Sequence, residues 1–257
     1  MIEVKALTAG YGGTPVIENV TLSFPPGEIL AVLGPNGSGK TTLLKAALGL
    51  IPSLSGQVLY EGRDIRQCGR REIARQAAYL TQSRNTPSIQ ALRMVLHGRF
   101  PYLSYPRSYG REVYDIARRS MDRAGCRDFE QMNVSRLSGG QRQSVYLAMA
   151  LAQQTRTVFM DEPTTYLDIS RQFRTMQMAR ALAGEGKAVV MVLHDLSQAL
   201  GCADRVAVLE RGRLLTWDTP ERVYERGVLE QAFGVCVHRV DTPQGLQYYC
   251  TAKEETQ

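Results

Sequence analysis

The feature that most restricts how this chain can fold is a glycine-rich turn, Gly34-Pro35-Asn36-Gly37-Ser38-Gly39-Lys40-Thr41, which fits the spacing Gly-x4-Gly-Lys-[Ser/Thr]. Before it, Ile29–Leu33 is apolar without interruption, the pattern of a parallel strand covered on both faces. After it, Leu43, Leu44, Ala47 and Leu48 recur at helical spacing until Gly49 and Pro52 end the pattern. Strand, glycine turn and helix together open an α/β core suited to holding phosphate. Glycines let successive N–H groups converge on one anion. The helix beginning near Lys40 directs the positive end of its dipole, roughly half an elementary charge, to the same place. Lys40 adds a mobile cation for the β- and γ-phosphates, and the Thr41 hydroxyl suits Mg2+.

The rest of the chain is organised around that core. Residues 2–7 and 16–22 alternate loosely and read as short antiparallel strands. Ala77–Leu80, Thr157–Met160 and Ala188–Leu193 read as further strands, the last two without alternation, as expected of a parallel sheet covered twice. From about residue 83 to 154 the chain is rich in arginine, has helical periodicity over 111–124 and carries no clear strand, so it reads as a helical insertion. After Val206 come two short strands about Glu210-Arg211-Gly212 and a helix near Pro220–Arg226. With 257 residues there is room for one large domain and a small appendage. We expect the main domain to occupy 1–227 and a small packed extension, built on Leu229, Phe233, Val235 and Val237, to occupy 228–257.

Two further segments carry chemistry. Val158-Phe159-Met160-Asp161-Glu162 is an apolar strand ending in two carboxylates. Asp161 at the strand end is placed to hold Mg2+, and Glu162 beside it to polarise an attacking water as general base. Leu137-Ser138-Gly139-Gly140-Gln141 opens a mostly apolar helix (Val145, Leu147, Ala148, Leu151, Ala152), a second anion-receptive helix start with no lysine of its own. Two such starts in one chain make sense if each serves a different nucleotide.

The Leu137–Gln141 segment resembles the signature motif of ABC transporter ATPase subunits, and the resemblance runs over nearly the whole chain to about Arg226. It implies a P-loop NTPase core with a mostly parallel sheet, an N-terminal antiparallel β-subdomain and an inserted α-helical subdomain. It implies ATP and Mg2+ as cofactors, with ATP held by Gly34, Pro35, Asn36, Gly37, Ser38, Gly39, Lys40, Thr41 and Thr42, and Tyr11 stacking on adenine. Gln82 matches the glutamine that reaches Mg2+ and the water, joining Thr41 and Asp161 at the metal; His194, after Met191-Val192-Leu193, matches the switch histidine at the γ-phosphate. The family works as a head-to-tail homodimer, which implies that Ser138, Gly139, Gly140, Gln141 and Asp168 (within Tyr166-Leu167-Asp168) contact the ATP held by the partner.

Three segments narrow the family. Pro163–Asp168 with Leu193–Ala199, and Gly98-Arg99-Phe100-Pro101-Tyr102, resemble the subunits of importers for iron-siderophore complexes, haem and vitamin B12. Thr81 and Ser144 depart from the residues usual there, proline and arginine. The implied partners are integral membrane permease subunits and, indirectly, a substrate-binding protein, with the chain peripheral on the cytoplasmic face of the membrane. An exporter ATPase is the alternative, and a soluble ABC ATPase acting on nucleic acid or the ribosome a more distant one. The sequence has no apolar run near the roughly 18 residues of a spanning helix, no basic-then-apolar leader and no sustained heptads. Its net charge of +6 is dispersed, giving no reason to expect nucleic acid as a partner. The cysteines, Cys68, Cys126, Cys202, Cys236 and Cys250, are scattered and read as reduced thiols rather than as a zinc site or disulfide framework.

Overall fold

A computed structural model of the chain describes residues 1–81, 86–104, 108–165, 167–243 and 245–253. Its elements run β1 (Ile2–Tyr11), β2 (Thr14–Phe24), β3 (Ile29–Leu33), α1 (Lys40–Ala47), β4 (Ser53–Tyr60), β5 (Arg63–Asp64), α2 (Arg70–Gln76) and β6 (Ala77–Leu80). Then follow α3 (Ala91–Leu96), α4 (Arg111–Arg123), α5 (Gly139–Ala152), β7 (Thr157–Asp161), α6 (Ile169–Gly184), β8 (Ala188–Val192) and α7 (Leu196–Cys202). The chain closes with β9 (Arg205–Glu210), β10 (Arg213–Asp218), α8 (Pro220–Glu225), α9 (Val228–Phe233), β11 (Val235–Thr242) and β12 (Gly245–Ala252).

The central sheet has the order β10-β9-β3-β8-β7-β6, parallel throughout except for the antiparallel edge pair β9–β10. Every residue of β3, β7 and β8 is buried. Leu30 and Val32 of β3, Phe159 of β7 and Val190 and Val192 of β8 face one hydrophobic core; Ile29, Ala31, Leu33, Val158, Met160, Val189 and Met191 face another. That division is the physical reason these strands show no polar alternation: a sheet with helices or a second sheet on each face has no wet side.

The first core joins the central sheet to α1 and to a four-stranded antiparallel sheet, β2-β1-β4-β5. Here β1 and β2 run longer than the loose alternation of residues 2–7 and 16–22 implies. The pattern is blurred because the register shifts between Val4 and Leu7 and again at Ala9, with Ala6 and Asn19 at positive φ, so each bulge resets which side chains face inward. The second core lies on the opposite face, against α6 and α7, and takes in Val223, Leu229, Ala232, Val237 and Tyr248. Residues 228–253 are thus packed into the same core as the sheet, with the hairpin β11–β12 on α7.

Residues 86–154 contribute α3, α4 and α5 and a third core of Val95, Leu96, Ile116, Met121, Val134 and Val145. The one β-type pairing outside the strands, among the described residues, is an isolated bridge from Gln90 to Asn133. Helix α5 ties this body to the sheet: Val145, Ala148 and Ala152 face the third core, while Leu147 and Leu151 face the second. Gly98–Tyr102 grips the far end of α5. The buried Arg99 donates Nη1 to the Ala152 carbonyl (2.8 Å) and lies over the Tyr102 ring, and Tyr102 donates to the Gln153 carbonyl (2.8 Å). A guanidinium and a phenol there satisfy carbonyls left open at a helix C-terminus. Ser144, on α5, returns its hydroxyl to the Gly140 carbonyl (3.3 Å), the local alternative a short hydroxyl finds inside a helix.

Candidate functional site

The carboxyl ends of β3, β7 and β8 meet on one edge of the sheet, where open α/β sheets hold their ligands. The 34–41 loop leaves β3, Asp161 ends β7, and His194 follows β8 by two residues. The loop folds back on itself. Lys40, only 7% exposed, donates Nζ to the Gly34 carbonyl (2.8 Å) and the Pro35 carbonyl (2.9 Å). Burial lowers its pKa from the ordinary lysine value, opposed by the charges of Glu162 and Asp161. Gly39 begins α1 at φ +100°, and a Cβ there would stand 2.5 Å from Ile17 Cγ2, so neither the dihedral nor the space admits a side chain. Ser38 Oγ is buried with no hydrogen-bond partner among the described residues, a polar atom waiting for an acceptor or donor that the chain does not supply. Thr42 is buried, Pro35 half-buried, and Asn36 and Gly37 exposed.

Asp161 is 2% exposed and has a donor on each oxygen: Thr41 Oγ1 at 3.2 Å from Oδ1, and the Tyr79 hydroxyl at 2.9 Å from Oδ2. One hydroxyl and one carboxylate side by side are hard oxygen ligands of the type Mg2+ takes, and that ion usually keeps water in its remaining positions. Glu162 turns away from the strand at φ +53°, a left-handed conformation that costs a non-glycine residue about 1–2 kcal/mol. Its N–H bonds the Val192 carbonyl (3.2 Å), which anchors that turn to β8. Its carboxylate accepts from Thr165 Oγ1 at 3.2 Å and from His194 Nε2 at 2.6 Å. His194 is the more exposed of the pair, 43% against 15% for the side chains, so it forms the solvent-facing lip of the site.

Tyr11, at the end of β1, is 49% exposed and free to present a ring face. Gln82 and Tyr166 lie outside the described residues. The Ser138 segment forms a capping box: Ser138 Oγ accepts from Gln141 N (3.3 Å) and Gln141 Oε1 accepts from Ser138 N (2.9 Å). Asp168 caps α6 by accepting from Arg171 N (2.9 Å) and pairs with Arg171 Nε (3.2 Å). The same guanidinium lies on Gly140, where an added Cβ would be 2.4 Å from Nη1. Among the described residues, no hydrogen bond joins Ser138, Gly139, Gly140, Gln141 or Asp168 to the 34–41 loop. The structure brings Gly34–Thr42, Asp161, Glu162 and His194 together and leaves the Ser138–Asp168 group apart from them. A cavity of about 530 Å3 lies beside Gly140, between α4, α5 and α6, and not over the loop.

Sequence reasoning missed Tyr79, Thr165 and Arg171. Arg171 carries no motif signal. Tyr79 was visible as the polar member of an otherwise apolar strand, and Thr165 stands three residues after Glu162, the spacing of a turn that folds back.

A phosphate-type loop with its own lysine, and a second serine-capped glycine helix start not hydrogen-bonded to it among the described residues, are the features of a nucleotide-hydrolysing cassette. The chain belongs to the ABC transporter family, whose sequence model matches residues 17–165, more than half its length. It is 35% identical over 241 residues to the ferric enterobactin transport ATP-binding protein FepC of Escherichia coli, covering 93% of this chain and 89% of that one. It is 38% identical over 243 residues to the hemin import ATP-binding protein HmuV of Pseudomonas entomophila, covering 92% and 94%. A solved dimeric structure of a bacterial ABC transporter cassette superposes with a TM-score of 0.76 at 29% identity, covering 86% of this chain and 99% of that one. The chain is therefore an ATP-binding, ATP-hydrolysing subunit of that family with the P-loop NTPase fold.

Proposed function

We propose that this chain powers uptake of a metal chelate, of the iron-siderophore, haem or cobalamin type, through a membrane permease made by other chains. The observation that carries the reading is similarity over more than nine-tenths of the chain to relatives named for enterobactin transport and hemin import. Among the described residues no helix is long and apolar enough to cross a membrane, which fits a subunit attached to the permease at the cytoplasmic face. Two copies act head to tail, in keeping with the dimeric cassette, and a substrate-binding protein feeds the permease from the other side. Nucleic acid has no part in this reading. The cassette spans 1–227, with its helical insertion at about 83–154, and 228–257 is an extension. The exposed Phe100, on the grip around the end of α5, belongs to the sequence stretch 82–102 that in this reading receives a cytoplasmic helix of the permease.

In the reaction, Gly34–Thr42 wraps the phosphates of ATP, Tyr11 stacks on adenine, and Lys40 exchanges the Gly34 and Pro35 carbonyls for phosphate oxygens. Thr41, Asp161 and Gln82 would hold Mg2+, which would offset charge on the phosphates. Glu162 takes a proton from the water whose oxygen attacks the γ-phosphorus, while the bond to the β–γ bridging oxygen breaks and ADP leaves with that electron pair. His194, 2.6 Å from Glu162, holds that carboxylate and reaches the γ-phosphate. Ser138, Gly139, Gly140, Gln141 and Asp168 meet the ATP held by the second copy, so hydrolysis releases the dimer. Affinity purification of the chain from detergent-solubilised membranes tests the assignment. A multi-span permease in equal number supports it, and recovery of soluble partners or nucleic acid alone, with ATP hydrolysis intact, removes the importer reading.

A further inference from the structure

We propose that Tyr79 is a positioning residue for the metal side of the site, its hydroxyl holding one oxygen of Asp161 so that the other is presented to Thr41 and Mg2+. The proposal rests on the assignment of Asp161 and Thr41 to the metal. Tyr79 lies on β6, beside β7 and opposite Phe159, and reaches past that neighbour to the carboxylate two residues further on. Asp161 is 2% exposed, and a buried carboxylate with an unpaired oxygen is costly. Its two donors are not equivalent. Thr41 Oγ1 and Asp161 Oδ1, 3.2 Å apart, are the pair that a shared cation would claim, so their mutual hydrogen bond competes with the metal. The Tyr79 bond to Oδ2, at 2.9 Å, does not compete and can persist with the metal in place. Fixing one oxygen of a planar carboxylate also fixes the rotation of the plane, and with it the direction of the other oxygen.

The test uses the full chain carrying Tyr79→Phe, which keeps the ring and removes only the hydroxyl. Mn2+ binding in the presence of a non-hydrolysable ATP analogue is followed by electron paramagnetic resonance, and analogue affinity is measured separately in a metal chelator. Groups that orient a metal ligand are typically worth about 10–100-fold in metal affinity, so Tyr79→Phe should weaken Mn2+ binding by about that factor. Metal-free analogue affinity should stay within about twofold, because no phosphate contact is removed. Asp161→Asn is measured alongside. If Asp161→Asn loses Mn2+ and Tyr79→Phe binds it as well as the unaltered chain, the Tyr79 proposal is overturned and the metal assignment stands. Unchanged Mn2+ binding in Asp161→Asn removes both. Loss of metal-free analogue binding in Tyr79→Phe makes the tyrosine a general support of the sheet and overturns its positioning role.

Discussion

Replacing Glu162 by Gln isolates one chemical property, the ability to accept a proton, with little else changed. Glu162 accepts from Thr165 at 3.2 Å and from His194 at 2.6 Å. A glutamine can accept the His194 bond through its carbonyl oxygen and donate its amide to the Thr165 oxygen, so both contacts can be remade. The left-handed backbone at φ +53° is equally strained for Glu and Gln, so the difference in folding stability should stay within about 0.5 kcal/mol. The amide cannot take the proton from water. A positioned general base is worth about 10²–10⁴ in rate, or about 2.7–5.4 kcal/mol of barrier, and the turnover number should fall by that factor. Phosphate release under saturating ATP measures the rate, titration with a fluorescent ATP analogue measures binding, and gel filtration with ATP measures the dimer. The expected result is unchanged binding, turnover reduced at least a hundredfold, and a dimer that persists with ATP because it is not hydrolysed. Hydrolysis within about threefold of the unaltered chain would refute the base assignment. Loss of nucleotide binding would refute the argument that Gln can restore the Thr165 and His194 contacts.

Other perturbations follow from the same geometry. Tyr11→Ala should weaken ATP binding by about 1–3 kcal/mol while Tyr11→Phe does not, and equal effects from both on the KM for ATP would remove the stacking role. Gly39→Ala forces a Cβ against Ile17 at 2.5 Å and a side chain into φ +100°, so thermal unfolding should show a loss of about 2–4 kcal/mol; a neutral result would contradict the packing of the loop on β2. Lys40 has a folded pKa below the ordinary 10.5, so between those two values the unfolded chain binds more protons and stability rises with pH. Urea midpoints measured as the pH rises toward 10.5 should therefore climb more in the unaltered chain than in Lys40→Met, and parallel curves would contradict the lowered lysine pKa. Burial pushes the Cys126 thiol up to about 12 and Cys202 up to about 11, so a maleimide at about pH 8 should leave both unlabelled until the protein is unfolded, as read by mass spectrometry.

How much of this was legible in the sequence depended on whether a residue's role is local. The 34–41 loop could be read because strand, turn and helix are consecutive and each has its own signal. The unalternating runs of β3, β7 and β8 announced a sheet covered twice, and the structure assigns their successive side chains to two cores. The β1–β2 pair was only half legible, because bulges near Val4–Ala9 break the period on which strand recognition rests. Thr81 and Ser144 stand out in the sequence only by comparison with a family, and Ser144 satisfies itself on Gly140 without disturbing α5. Tyr79 was legible only as the polar member of its strand, not in its role, and Arg171 not at all. Tyr79 acts on a carboxylate 82 positions away, and Arg171 on a glycine in another helix, relations that exist only once the sheet and α5 are in place.

The division of the site within one chain constrains its mechanism more strongly than any single residue does. The loop, the carboxylates and His194 are held by three strands of one rigid sheet, so their mutual distances cannot change much without disrupting a packed interior. The Ser138 start belongs to α5, whose two faces serve two different cores, and it is linked to the sheet side through Arg171, which is bonded to Asp168 and lies on Gly140. A rotation of the helical body about that boundary would move the serine and glycines as one unit while the catalytic carboxylates stay fixed. In the proposed head-to-tail dimer this anion-receptive helix start would gain differential binding energy by meeting the nucleotide held by the second copy, and would lose it when the γ-phosphate departs. On that proposal ATP binding and hydrolysis would bias two arrangements of the helical body, and the Gly98–Tyr102 contacts at the end of α5 would carry the choice to the surface bearing Phe100.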